Sequence, residues 1–124
     1  MIKLPKKTPK ILVVGDLMID YYLIGSSDRV SPESPVPIID IKNESNHLGG
    51  AGNVVNNLKS LGSEIDVISV IGDCNNSKEL INLLNEINIS TQYLITEEGR
   101  IATKKTRFIV SKQQVVRYDQ ESSK

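Results

Sequence analysis

The sequence contains one cysteine, Cys74, and one histidine, His47, among its 124 residues. A single cysteine excludes an intramolecular disulfide, and one cysteine with one histidine cannot supply the ligands of a structural zinc site. Tryptophan is absent, and no apolar run approaches the roughly 20 residues that a membrane-spanning helix needs. The basic N-terminal segment leads into an apolar run that is too short for a secretory signal. We therefore expect a soluble, cytoplasmic protein.

The chain also lacks an excess of charge of either sign, because 15 Lys and Arg residues balance 15 Asp and Glu residues. Without a global positive field, neither nucleic acid nor a membrane surface is an expected partner. Hydrophobic residues make up 39% of the chain, which excludes a disordered polyelectrolyte. The composition predicts a folded core within residues 1–124.

Two short apolar runs rich in β-branched residues predict core strands. Ile11–Val14 ends at Gly15, and Asp66–Ile71 ends at Gly72. Continuous apolar runs are typical of parallel strands that helices bury on both faces. Two such strands are fewer than a complete sheet of this kind uses, which indicates part of a larger domain.

Apolar residues at helical spacing predict two helices. The first follows Gly49-Gly50-Ala51-Gly52-Asn53 and ends at Gly62, a typical C-cap residue. The second contains Leu80, Ile81, Leu84 and Ile87, with Asn76 and Glu79 as a capping box. The alternation of strands and helices predicts an α/β fold with a mainly parallel sheet.

The remaining strand-like segments are more polar. Ile38–Ile41 is predicted to be an edge strand, and the Gly-, Pro- and Ser-containing residues 25–37 a turn or loop. Tyr93–Ile95, Thr103–Val110 and Val115–Tyr118 are further strand candidates. We predict that the segments within residues 21–41 and 103–118 form a smaller sheet, separate from the core strands.

Three groups of residues could carry chemistry. Asp16 and Asp20 follow the first core strand, where α/β sheets bind ligands, although either carboxylate could simply cap a turn. The glycines before Asn53 could let a ligand approach the backbone, or could form an ordinary flexible loop. Lys105 and Arg107 share one strand face and could bind an anion, or could simply be solvated. His47 and Cys74 are interpreted as a surface residue and a small, partly buried residue.

Taken together, these residues resemble the ribokinase-like carbohydrate kinases, also called the phosphofructokinase-B superfamily. The resemblance covers Ile11–Asp119, and its most specific segments are Val14–Asp20, Arg29–Pro37 and Gly49–Val54. The segment Arg-x-Ser-Pro-Glu-x-Pro-Val-Pro is similar to the heptose-7-phosphate kinase branch, as are Lys105-x-Arg107 and Gln113–Asp119. In that branch the kinase is often the N-terminal domain of a bifunctional ADP-heptose synthase.

The resemblance implies a parallel sheet flanked by helices and a small β-sheet lid that closes on the sugar and often forms a homodimer. The residues implied to hold sugar hydroxyls are Asp20, Gly49, Gly50 and Asn53, and those implied to meet a substrate phosphate are Lys105 and Arg107. The intact enzyme is expected to use ATP and Mg2+ to phosphorylate the anomeric hydroxyl of D-glycero-D-manno-heptose 7-phosphate. This reaction belongs to the synthesis of ADP-heptose, a lipopolysaccharide core precursor.

One departure from the family pattern concerns catalysis. The family's catalytic base is the aspartate of a Gly-Ala-Gly-Asp motif, which this sequence does not contain. We therefore expect the N-terminal portion of a sugar kinase, with most of the sugar site but without kinase activity of its own. Two alternatives stay open: another kinase of the superfamily, and a non-catalytic sugar-binding or dimerisation module.

Overall fold

The computed structural model describes residues 7–122, which contain seven β-strands and two α-helices. In chain order these elements are β1 (Lys10–Val14), β2 (Leu17–Val30), β3 (Pro37–Gly50), α1 (Ala51–Ser60), β4 (Glu64–Ile71), α2 (Asn75–Glu86), β5 (Leu94–Thr96), β6 (Thr103–Val110) and β7 (Gln113–Gln120). Neither helix is long and apolar enough to span a membrane.

The strands form two sheets. Strands β1, β4 and β5 pair in parallel, in that order. The second sheet has the order β3–β2–β6–β7, with β2 antiparallel to β3 and parallel to β6, and β6 antiparallel to β7. The predicted α/β fold and the predicted second sheet are both confirmed. The strands of that second sheet are longer than predicted, because β2 begins at Leu17 and β3 continues to Gly50.

The hydrophobic core connects the two sheets through the start of β2. Leu17 and Ile19 are buried in the same cluster as Val55 of α1, Val67 of β4 and Leu80 of α2. Helix α1 contacts strands of both sheets, β1 and β4 as well as β2 and β3, whereas α2 contacts β2 and β3. The backbone amide of Leu17 also donates a hydrogen bond to the hydroxyl of Ser69 in β4, at 3.3 Å. The four-stranded sheet is therefore held to the three-stranded sheet by core packing.

The prediction that the core strands are buried on both faces is wrong for the described residues. Leu12 and Val14 of β1 are 56% and 69% exposed, and Val70 and Ile95 are exposed on the same face. The alternating residues Val13 and Val67 face the core instead. Within residues 7–122, α1 covers only one face of β1 and β4, so the other face remains apolar and open.

The predicted loop over residues 25–37 is only partly correct. Gly25 and the two serines after it lie inside β2, and the connection to β3 covers residues 31–36 alone. The pairing of β2 with β3 is shifted after Ile24 and again after Ser26. Small and polar residues suit such bulges, which explains why they were mistaken for a turn. The predicted edge strand at Ile38–Ile41 is confirmed as part of β3.

Of the two predicted helix caps, the one at the end of α1 is confirmed and the one at the start of α2 is wrong. Gly62 follows α1 with a positive φ of 86°, as its predicted C-cap role requires. The capping box at α2 does not form, because the N-cap residue is Cys74 and no side chain caps the helix. Asn76 instead donates to the carbonyl of Ala102, and Glu79 binds residues of the four-stranded sheet.

Two adjacent valines on α1 test the core assignment. Val55 is fully buried, whereas Val54 is 49% exposed. Val55→Ala should lower the free energy of unfolding by about 2 kcal/mol, because burial of two methyl groups is lost and a cavity remains. Val54→Ala, the matched control, should change it by less than about 0.5 kcal/mol. Urea unfolding measures both, and equal losses would contradict the described core.

Candidate functional site

Strand β2 brings Asp20 to the open face of the four-stranded sheet. Side chains alternate along a strand, so burying Leu17 and Ile19 directs Asp20 to the opposite face. Asp20 lies across from His47 of β3 on one side and from Lys105 of β6 on the other. The carboxylate is therefore flanked by side chains of both neighbouring strands.

Arg107 of β6 forms an ion pair with Asp20. Its Nη1 lies 2.5 Å from Oδ1 of Asp20, and the two side chains are only 19% and 23% exposed. The hydrogen bond to Asp20 raises the pKa of Arg107, while partial burial acts in the opposite direction. The guanidinium also lies over the ring of Tyr22, at 5.3 Å from the ring centre. Arg107 is thus held by two neighbours on the same sheet face.

The end of β3 makes room for the Asp20 carboxylate. Gly49 pairs with Met18 of β2, and a Cβ atom at this position would overlap Oδ2 of Asp20. It would also lie 2.9 Å from Cγ of Met18. Gly50 follows with a positive φ of 56° and directly precedes α1. The absence of a side chain at position 49 therefore allows Asp20 to occupy its observed place.

Asp20 and Asn53 line the same pocket, which has a volume of about 540 Å3. Asn53 belongs to the first turn of α1, directly after the chain leaves β3. The other residues that line the pocket are Tyr22, Asn46, His47, Leu48, Asn56, Leu83, Glu86 and Ile87. Asp16 lies outside this pocket, and its carbonyl oxygen accepts a hydrogen bond from the amide of Ala51 at 2.9 Å.

The structure brings the six predicted site residues together to different degrees. Asp20, Gly49 and Arg107 are immediate neighbours, Asn53 shares the pocket with Asp20, and Gly50 adjoins Gly49. Lys105 is paired in register with Asp20 on the same sheet face, and within residues 7–122 Lys105 forms no ion pair. Neither cation lines the 540 Å3 pocket. Their contact with a substrate phosphate stays a prediction.

His47 and Tyr22 were not predicted as site residues, yet both line the pocket beside Asp20. The two rings meet edge to face, with centroids 5.7 Å apart. Nε2 of His47 also lies 3.2 Å from the hydroxyl of Ser45. His47 is exposed, as expected of a surface residue. Its alternation with Gly49 along β3 was the signal that could have placed it near Asp20.

A second polar cluster lies on the opposite face of the same sheet. Nζ of Lys104 lies 2.7 Å from Glu79 of α2, and Asn46 donates to the other oxygen of that carboxylate at 2.5 Å. Lys104 also lies over the ring of Tyr21, whose hydroxyl donates a hydrogen bond to Glu44. That hydrogen bond, with smaller effects of burial and acidic neighbours, raises the pKa of Tyr21 to about 12. The cluster ties α2 to the four-stranded sheet.

Comparison with known proteins agrees with this architecture. Residues 8–124 match the pfkB family of carbohydrate kinases, and the chain belongs to that family. It is 61% identical over 116 residues to the bifunctional protein HldE of Aliarcobacter butzleri, and 53% identical over 115 residues to that of Sulfurimonas denitrificans. These alignments cover 94% and 93% of this chain, but the chain spans only 24% of each relative.

A solved structure shows the same fold at low sequence identity. The carbohydrate kinase from Agrobacterium tumefaciens superposes with a TM-score of 0.68 and 20% identity, over 91% of this chain and 36% of that protein. The ribokinase-like fold that the resemblance implied is therefore confirmed.

Gly49→Ala tests the close contact with Asp20. The added Cβ should displace the carboxylate and lower the free energy of unfolding by about 1–3 kcal/mol. Gly15→Ala is the matched control, because its Cβ would meet only Ala51, at 3.2 Å. Urea unfolding should show a clearly smaller loss for the control. A Gly49→Ala loss that is unchanged in an Asp20→Ala background would argue against the contact.

Proposed function

We propose that the chain supplies the acceptor site of a kinase that phosphorylates the anomeric hydroxyl of D-glycero-D-manno-heptose 7-phosphate. The family assignment supports a carbohydrate acceptor, and the heptose rests on the segments that resemble the heptose-7-phosphate kinase branch. The observation that carries the proposal is that Asp20 and Asn53 line one pocket, with Lys105 and Arg107 on the same sheet face as Asp20.

The side chains in this pocket suit a sugar. The carboxylate of Asp20 accepts hydrogen bonds from hydroxyl groups, and the amide of Asn53 can donate as well as accept. Asn53 stands in the first turn of the ten-residue helix α1, whose amides have no acceptor within the helix. The amide of Ala51 already donates to Asp16, and those of Gly52 and Asn53 can serve as further donors. A polyhydroxylated acceptor could therefore be held by two side chains and by the backbone that follows Gly49 and Gly50.

The same site would favour a phosphorylated sugar through Lys105. Arg107 is already paired with Asp20, whereas Lys105 forms no ion pair within residues 7–122. Because Lys105 and Asp20 lie opposite each other on adjacent strands, the ammonium group and the carboxylate can contact different parts of one acceptor. A phosphate at the far end of the sugar is the anion that we assign to Lys105.

ATP and Mg2+ belong to the proposed reaction, but no residue of this chain is assigned to either. Within residues 7–122 no cluster of three His, Cys, Asp or Glu side chains could hold a metal ion. Phosphoryl transfer depends on positioning both substrates and stabilising charge. We assign the positioning of the acceptor to this chain, and we propose that without a Gly-Ala-Gly-Asp motif it has no kinase activity by itself.

The four-stranded sheet is proposed to act as the lid over the bound sugar and as a homodimer contact, in the cytoplasm. Its outer strands β3 and β7 carry exposed apolar residues that a second copy could cover, among them Ile41, Val115 and Tyr118. Val30, at the end of β2, is exposed as well. Phe108, Val110 and Ile39 are half-buried in the same sheet.

Alanine substitutions at Asp20 and Asn53 test the acceptor site in the full-length gene product. Each should weaken binding of heptose 7-phosphate about 5- to 150-fold, because a partnered polar group is lost at the ligand. Binding of ATP should change by less than about twofold, since these side chains are not assigned to it. Steady-state kinetics with each substrate varied in turn measures both effects.

Matched controls exist on the same two elements. Asp28 is an exposed aspartate of β2, and Asn57 is an exposed asparagine of α1 that does not line the pocket. Asp28→Ala and Asn57→Ala should leave acceptor binding unchanged. Unchanged acceptor binding in folded Asp20→Ala and Asn53→Ala proteins would disprove the proposed site.

Lys105→Ala tests the choice of a phosphorylated acceptor. It should reduce the preference for heptose 7-phosphate over unphosphorylated heptose about tenfold, since one charge-assisted contact to phosphate is removed. Lys112→Ala, which removes the same charge in the exposed β6–β7 turn, should leave the preference unchanged. The ratio of kcat/KM for the two acceptors is the measurement. An unchanged ratio in Lys105→Ala would show that Lys105 does not contact the phosphate.

A further inference from the structure

We propose that Arg107 is a positioning residue that holds Asp20 in one orientation and so presents a single carboxylate oxygen to the acceptor. The inference rests on the proposed function, because it concerns the same acceptor site. The family resemblance implied that Arg107 contacts the substrate phosphate, and the inference replaces that role.

The two oxygens of the Asp20 carboxylate have different surroundings. Oδ1 accepts the hydrogen bond from Nη1 of Arg107, at 2.5 Å. Oδ2 lies beside Gly49, so close that a Cβ at that position would overlap it. One oxygen is thus committed to β6, and the other lies toward the β3 side, where the pocket shared with Asn53 is found. The contacts on both sides restrict rotation of the carboxylate.

Arg107 is itself restricted by its neighbours. Its guanidinium lies over the ring of Tyr22, and that ring meets His47 edge to face. Only 19% of the Arg107 side chain is exposed. A guanidinium that is partly buried, stacked and paired with a carboxylate is suited to fixing that carboxylate, because its donors are rigidly arranged and charge-assisted. A phosphate bound by its remaining N–H groups would have to share the guanidinium with Asp20.

Lys105 and Arg107, the two cations on the Asp20 face of β6, therefore have separate assignments. Arg107 acts through Asp20 on every acceptor, phosphorylated or not. Lys105 acts on the phosphate alone. This difference can be measured. Loss of a positioning residue should affect both acceptors equally and should have little further effect once Asp20 is removed. Loss of a phosphate contact should affect only the phosphorylated acceptor, with or without Asp20.

A double-mutant cycle in the full-length gene product tests the role of Arg107. Arg107→Ala should raise the KM about tenfold for heptose 7-phosphate and equally for unphosphorylated heptose, because a charge-assisted hydrogen bond to Asp20 is lost. In the Asp20→Ala background the same substitution should raise KM by less than about twofold, since the residue that it positions is gone. Lys112→Ala controls for the loss of one positive charge.

Either of two results would overturn the inference. The first is a selective loss for heptose 7-phosphate in Arg107→Ala, which would indicate direct contact with the phosphate. The second is a full additional loss in the Asp20→Ala background, which would show that Arg107 acts independently of Asp20. If Arg107→Ala does not fold, Arg107→Lys takes its place in the test, since it keeps the charge without the planar donor arrangement. Arg107→Lys should raise KM equally for both acceptors. Unequal effects in that variant would also count against the inference.

Failure of the proposed function gives a different result. If the unmodified protein phosphorylates neither heptose, the acceptor assignment is wrong, and the same cycle is measured with whichever of ribose, fructose or adenosine it does phosphorylate. Non-additivity of Asp20 and Arg107 with that acceptor would still support the positioning role. Additivity would still overturn it.

Discussion

The arrangement of the candidate site depends on how β2 is anchored as it leaves the hydrophobic core. Ile19 is fully buried and Leu17 nearly so, and both belong to the cluster that also contains residues of α1, β4 and α2. Asp20 follows Ile19 directly and must face the other side of the sheet. A shift of one residue in this strand would place Asp20 in the core and expose Ile19, which the burial of apolar surface opposes.

The same alternation gives the two faces of β6 different tasks. Lys104 and Thr106 face the core side, where Lys104 reaches Glu79 of α2. Lys105 and Arg107 face the side of Asp20. Both ion pairs are partly shielded from solvent, so each stabilises a defined geometry more than an exposed surface pair would. The core-side pair fixes the sheet against the helix, and the other pair lies within the candidate site.

Local patterns in the sequence predicted where strands lie better than they predicted the burial and pairing of the residues in those strands. Ile11–Val14 and Asp66–Ile71 are strands because their apolar, β-branched residues suit a sheet. The same pattern could not show that Leu12 and Val14 are exposed within residues 7–122, because burial depends on which elements pack against a strand. Gly25 and the two serines after it have a composition typical of turns, and only the pairing with β3 shows that they lie in bulges.

The candidate site, too, depends on strand pairing that local sequence patterns do not show. Alternation along β6 indicated that Lys105 and Arg107 share a face, and family resemblance indicated Asp20, Gly49, Gly50 and Asn53. The ion pair between Asp20 and Arg107 follows from the parallel pairing of β2 with β6, which neither segment reveals alone. His47 was missed for a related reason, since its place beside Asp20 depends on the antiparallel register of β3.

The pairing of β2 with β6 also has a consequence for the order of folding. β2 with β3, and β6 with β7, are hairpins of neighbouring segments, and each can form from local contacts. Asp20 and Arg107 are 87 positions apart, so their contact requires the two hairpins to dock across the intervening α1, β4, α2 and β5. Closing such a long loop carries an entropic cost that local pairing does not. The candidate site is therefore expected to be among the last parts of the structure to form, after the core that anchors β2.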